Sequence, residues 1–164
     1  MSEEPSGSVN LQPLILRANR FLGATLVDIE MISFSDLEQA SEFLLERLQT
    51  KDLSKASLIS ILQELKVLDE NALIRYQVDE HKLGVFDASS VPPVDHPEIK
   101  PEVCWATWTV PYDFQEGMWF MASAYYMSKP AREFWEKRLS APIEWCVSES
   151  RQIAQAIGKL SVEA

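Results

Sequence analysis

The sequence predicts an α+β fold: a bundle of duplicated helical hairpins, then a small sheet carrying two helices. Three observations carry that expectation. Apolar residues in the first half recur three and four positions apart, the spacing of one helix face. The phrase LGATLVDIEMISFSDL, from Leu22 to Leu37, returns as LISILQELKVLDENAL, from Leu58 to Leu73, 36 positions on. Beyond a segment with four prolines, the composition turns to β-branched and aromatic residues in short runs.

Residues 1–13 are polar and acidic and read as a flexible tail. They lack a basic start followed by an apolar run, so they do not read as a signal peptide. A helical subdomain is expected over 14–86. Leu14, Leu16, Phe21, Leu22, Leu26 and Ile29 have a mixed spacing that resolves into helix from Leu22 onward. Gly23 within that helix costs about 1 kcal/mol against alanine, which implies a close contact that requires it. The next helix, SFSDLEQASEFLLERL, is opened by a capping box from Ser35 to Glu38, with Leu37, Ala40, Leu44, Leu45 and Leu48 as its buried stripe. Leu58, Ile61, Leu62 and Leu65 mark a third helix. A fourth starts at the N-cap Asp69 and stops at Gly84. Pro92, Pro93, Pro97 and Pro101 make 87–102 an extended strap.

The α/β subdomain spans 103–164. VCWATWTV and MWFMASAYYM are predicted as the strands of a hairpin turning at PYDFQEG. SKPAREFWEKRL is a helix with Ser128 as cap and Pro130 in its first turn. PIEWCV is a short strand, and SESRQIAQAIGKL is a closing helix capped by Ser148.

Laid together, the two phrases match Leu22 with Leu58, Leu26 with Leu62, Ile29 with Leu65 and Leu37 with Leu73. Each reads as helix, tight turn, helix. Such a hairpin cannot bury its apolar face alone, so the two copies are expected to pack as one bundle.

Composition narrows the function. Net charge is −10, and residues 1–90 carry 15 acids against 8 bases, a surface that repels nucleic acid. With five glycines and no G-x-x-x-x-G-K-[ST], there is no loop to cradle phosphates. The apolar runs are too short to insert into a membrane. Cys104 and Cys146 fall in predicted strands and read as buried, reduced thiols of a cytoplasmic protein. His81 and His96 have no metal-ligand spacing around them, so no metal or other cofactor is expected. The pairs Asp69–Glu70 and Asp79–Glu80 read as a helix cap and a solvated face, and nothing marks an enzyme. In the aromatic stretch from Trp105 to Tyr126, alternation turns one face outward. Trp108, Tyr112 and Phe114 are the candidates for a partner-binding surface.

The repeated phrase resembles the motif at the front of the type II secretion ATPases and their type IV pilus assembly relatives. That motif has an Arg-Leu-Gly start, aliphatic pairs around a second glycine, then Ser or Thr and an acidic-plus-Leu helix start. Leu22, Gly23, Leu26, Val27, Met31, Ile32, Ser33, Asp36 and Leu37 fall on it. Val110-Pro111, EGMWFMASAYYMSKP and IEWCVSESRQIAQAIGKL are similar to later parts of the same N-terminal region, so the resemblance covers roughly residues 14–160. It implies a non-catalytic regulatory or protein-docking module, acting in the cytoplasm on a component of a secretion or pilus machine. In some relatives the phrase binds cyclic di-GMP, which implies an alternative: a nucleotide sensor using Arg20, Leu22, Gly23, Leu26, Leu58 and Leu62. The sequence departs from that pattern. Phe21 stands where the arginine belongs, Ser57 and Ile59 replace the Arg and Gly of the second copy, and Glu30 and Lys66 replace the second glycine. Glu30 opposes a phosphodiester, so a small nucleotide is not the expected ligand.

Overall fold

The computed structural model describes the backbone of residues 11–50 and 52–163. The expectation for 1–13 therefore lies largely outside the described residues. Four helices come first: α1 (Gln12–Asp28), α2 (Phe34–Leu48), α3 (Leu58–Glu64) and α4 (Glu70–His81). Then follow β1 (Gly84–Val85), α5 (Pro101–Thr107), β2 (Thr109–Gln115), β3 (Met118–Ser123), α6 (Lys129–Leu139), β4 (Ile143–Val147) and α7 (Ser150–Glu163). The strands form one sheet in the order β1-β4-β3-β2, with β2 antiparallel to β3 and the other pairs parallel. The fold is α+β, as the sequence predicts.

The duplication is real in three dimensions. α1 ends with Glu30 at φ +64°, α3 with Lys66 at φ +62°. At the first turn the Glu30 N–H donates to the Val27 carbonyl (2.9 Å) and the Met31 N–H to the Leu26 carbonyl (2.9 Å). At the second, Lys66 donates to Gln63 (2.9 Å) and Val67 to Leu62 (3.1 Å). These are two copies of one Schellman cap, 36 residues apart, each seating an apolar residue back on its helix. The second glycine of the resembling motif is thus a left-handed cap position, filled here by Glu30 and Lys66.

Several local expectations are corrected. α1 starts at Gln12, ahead of Leu22, because Ile15, Ala18 and Asn19 already face the core. The capping box is Ser33–Asp36, with both reciprocal bonds formed (3.0 and 3.1 Å), rather than Ser35–Glu38. Leu45 is exposed. Asp69 does cap α4 through the Asn71 N–H, but the helix ends on Lys82 at φ +56°, and Gly84 begins β1. VCWATWTV is mostly helix: Pro101 opens α5, Val103, Cys104, Ala106 and Thr107 are buried, and Trp108 at φ +48° closes it before β2. The stretch PYDFQEG lies in β2 as far as Gln115. The chain reverses at Glu116 and Gly117, both at positive φ, a two-residue hairpin loop that favours glycine. The α/β part accordingly carries three helices.

The strap is pinned to the sheet. Its Val94 N–H donates to the Pro111 carbonyl (3.2 Å), Ala88 N–H to Ser148 Oγ (3.2 Å), and Ile99 is buried. Ser148 also donates to the Phe86 carbonyl, so it is committed to the strap and does not cap α7. Glu70 of α4 takes that place, accepting from the Ser150 N–H and hydroxyl (2.8 Å each). One apolar core runs through both halves, from Leu22 and Leu62 to Met121, Trp135 and Ile157. At its centre the Tyr125 hydroxyl donates to Asn19 Oδ1 on α1 (2.5 Å) and accepts from the Leu58 N–H at the start of α3 (2.7 Å). Ser128 occupies the N-cap position of α6, but its hydroxyl reaches the Ala18 carbonyl on α1 (2.7 Å). No helix among the described residues is long and apolar enough to cross a membrane.

Candidate functional site

The sequence-derived ligand residues divide sharply. Leu22, Leu26, Leu58 and Leu62 are core side chains, none more than 1% exposed. Gly23 is buried as well, and a Cβ built there would lie 2.5 Å from Leu37 Cδ1 and 3.3 Å from Leu58 Cδ2. The glycine therefore lets α1 approach α2 and α3 closely, as its presence mid-helix implied. Only Arg20 of that set reaches solvent. In the second copy Ile59 takes the place of Gly23 and is fully buried. α3 is core on nearly all sides, with Leu58, Ile59, Ile61 and Leu62 buried, so the first helix of the second copy serves packing.

The first copy presents an apolar surface. Among the described residues, four of the six exposed large apolar side chains lie on the first hairpin: Phe21, Phe34, Phe43 and Leu45. Phe34 is 63% and Leu45 52% exposed. On α2 they lie three turns apart and within about 20° of each other, beside Ser41. Between this ridge and α1 runs a groove with a cavity of about 150 Å³. Asn19, Leu37, Leu44 and Leu58 form its floor, Leu16 and Arg20 line its α1 wall, and Ser41 and Leu45 line its α2 wall. Sequence reasoning assigned Leu45 to the buried stripe and missed this ridge. The available signal was the adjacent pair Leu44-Leu45, which a single helical stripe cannot bury together.

The three aromatic candidates do not share one surface. Trp108 is 2% exposed, its indole N–H lacks a protein partner, and it borders a second, polar cavity of about 380 Å³ with Gln63, Glu70 and Ser150. Tyr112 stacks on Phe86 with ring centroids 4.0 Å apart and receives the Cys146 thiol at 3.4 Å. Burial pushes its phenol pKa up, so it stays a neutral group. Phe114 is exposed on β2, against Trp119 across the hairpin.

Reactive chemistry finds little footing among the described residues. Both cysteines are free and buried, and burial raises both thiol pKa values, the opposite of what a nucleophile needs. His96 accepts the Glu98 N–H on Nδ1, and His81 packs edge-on to Tyr76 and Tyr126. Among the described residues, no three His, Cys, Asp or Glu side chains gather as a metal ion would require.

No protein-family model matches the chain, and no curated protein matches its sequence. Solved structures do match. The N-terminal domain of XpsE aligns over 87% of this chain and 94% of its own, with a TM-score of 0.57 and 16% identity. A second crystal form aligns over 97% and 99%, with a TM-score of 0.55 and 16% identity. A structure of MshE with cdg aligns over 84% of this chain and 96% of that chain, at a TM-score of 0.52 and 19% identity. The chain thus has, over most of its length, the fold of the XpsE N-terminal domain.

Proposed function

We propose that this protein is a non-catalytic docking or regulatory module of the kind found at the front of secretion and pilus ATPases, working in the cytoplasm on a component of such a machine. The observation that carries the reading is the apolar ridge and groove of the first hairpin. Isolated exposed apolar residues are ordinary, but Phe34 and Leu45 in line on one face of α2, with Leu45 on the wall of a groove, mark a surface built to be covered. The fold shared with XpsE and MshE supports the machine class. The test is affinity purification of the tagged chain from its source cells with quantitative mass spectrometry. A secretion or pilus component enriched over a tag-only control is the expected result, and its absence from repeated preparations would end this reading.

A second reading, a sensor of cyclic di-GMP, is favoured by one observation: both hairpins retain the same Schellman turn, and MshE with that fold has been seen with cdg. Against it, the leucines of the phrase are buried and Glu30 stands exposed at the first turn. Calorimetric titration with cyclic di-GMP decides the matter, and a heat signal lost in Arg20→Ala would favour the sensor.

A further inference from the structure

We infer that the groove between α1 and α2 receives an amphipathic helix of a partner protein: one large apolar anchor, with Lys or Arg along the flank that lies over α2. This rests on the docking reading and names the surface and the chemistry of the partner.

Size speaks first. A cavity of about 150 Å³ is the scale that accepts a benzene ring. It suits a single leucine or phenylalanine side chain, whereas drug-sized ligands need about 300 Å³ or more. A single anchor in a pocket, with apolar residues one turn to either side, is how helices dock in grooves. The exposed ridge of Phe34 and Leu45 gives those neighbouring residues something to cover.

Charge then selects the occupant. Outside the ridge, Glu38, Glu42 and Glu46 follow one another at i, i+4 and i+8 along the exposed side of α2. No ion pair among the described residues holds any of them. Like charges one turn apart repel, and a row of cations on a docked helix relieves that repulsion along the whole row. The opposite wall carries Arg20, exposed on α1. The groove is therefore apolar in the middle, acidic on one bank and basic on the other. α2 is about 22 Å long, which matches a partner helix of about four turns.

The experiment uses the whole chain and three labelled peptides of about 14 residues: a helical Leu/Lys amphipath, its Leu/Glu counterpart, and a scrambled Leu/Lys sequence with no apolar face. Fluorescence anisotropy should show saturable binding of the first alone. Two variants touch only exposed side chains: Leu45→Asp, and the triple change Glu38→Lys, Glu42→Lys and Glu46→Lys. Each should weaken binding about tenfold or more. The control carries Asp79→Lys, Glu80→Lys and Glu136→Lys on other helices, shifts the net charge equally, and should change binding less than about twofold. Equal loss in the control, or equal binding of the scrambled peptide, would mean bulk charge attraction and overturn the inference. A wild-type dimer by light scattering that becomes monomeric in Leu45→Asp would assign the groove to a second copy and overturn it as well. The two proposals fail separately. If the wild type and Leu45→Asp recover the same machine component, the groove assignment is wrong and docking stands. If the peptide binds but no machine component is recovered, the groove assignment stands and the machine class falls.

Discussion

The Tyr125 hydroxyl is donor to Asn19 Oδ1 and acceptor from the Leu58 N–H, so one buried oxygen ties the first helix of each repeat to the sheet half. Removing it in Tyr125→Phe leaves a buried amide oxygen and a helix-start N–H unpaired while barely changing volume. At about 1–3 kcal/mol for each orphaned group, we expect a loss of about 2–4 kcal/mol, read from the urea midpoint. Gly23 is a second residue whose identity is set by one approach. Gly23→Ala gains about 1 kcal/mol of helix propensity, and the Leu37 methyl it meets borders the groove and can move into it. The two effects oppose, so the net change should stay within about 1 kcal/mol. Gly23→Ile, which imports the residue of the second copy, overpacks the contact with Leu37 and Leu58 and should destabilise by about 3 kcal/mol. The need for a close contact at Gly23 was legible in the sequence, because a glycine inside a helical pattern requires a reason. That the first hairpin carries the exposed ridge while α3 is packed on nearly all sides was not legible, because burial depends on which neighbours arrive.

At the scale of elements, the two Schellman turns make a paired prediction. Glu30 and Lys66 hold left-handed backbone that costs a side-chain-bearing residue about 1 kcal/mol or more. Glu30→Gly and Lys66→Gly should each raise stability by up to about 1 kcal/mol, and the double variant should show the sum. Thermal midpoints of the four proteins check this, and a loss at either site would show that the side chain matters more than the backbone. Local signals of this kind were the readable ones. Asp69 is legible as a cap because the bond it makes, to the Asn71 N–H, lies within two residues of it. The box at α2 forms two residues before the expected one because Ser33–Asp36 and Ser35–Glu38 both fit the capping phrase, and nothing local chooses between them. The sequence predicts a strand where α5 forms because its Val, Cys, Trp and Thr favour one, and it assigns Pro101 and Glu102, which open the helix, to the strap. β1, two residues long, exists only because β4 lies beside it, and Glu70 caps α7 from 80 residues away. Neither had a sequence signature. The groove shared that fate: its floor draws on α1, α2 and α3, so only the assembled bundle contains it.

For the molecule as a whole, the shared core makes stability fall on the alkaline side. Burial raises the thiol pKa of Cys104, with the nearby Glu102 carboxylate adding to the effect, and burial likewise raises the phenol of Tyr125. In the unfolded chain these groups ionise near pH 8.5 and pH 10 respectively. Above those values the unfolded state binds fewer protons than the native state, so the free energy of unfolding decreases as pH rises. Below pH 8 or so both states hold the protons and the effect vanishes. By pH 10 the Cys104 thiol alone should remove about 2 kcal/mol, at 1.4 kcal/mol for each pH unit past its unfolded value. Urea titrations under reducing conditions at several pH values would read the slope. Cys104→Ala should begin less stable at neutral pH because it leaves a cavity, yet decline more gently between pH 8.5 and pH 10, and the two curves should converge. If the variant instead declines in parallel with the wild type, the native thiol ionises as freely as the unfolded one. The Cys104 side of the core, where α5 meets α1 and α7, would then be open to water rather than continuous with the rest.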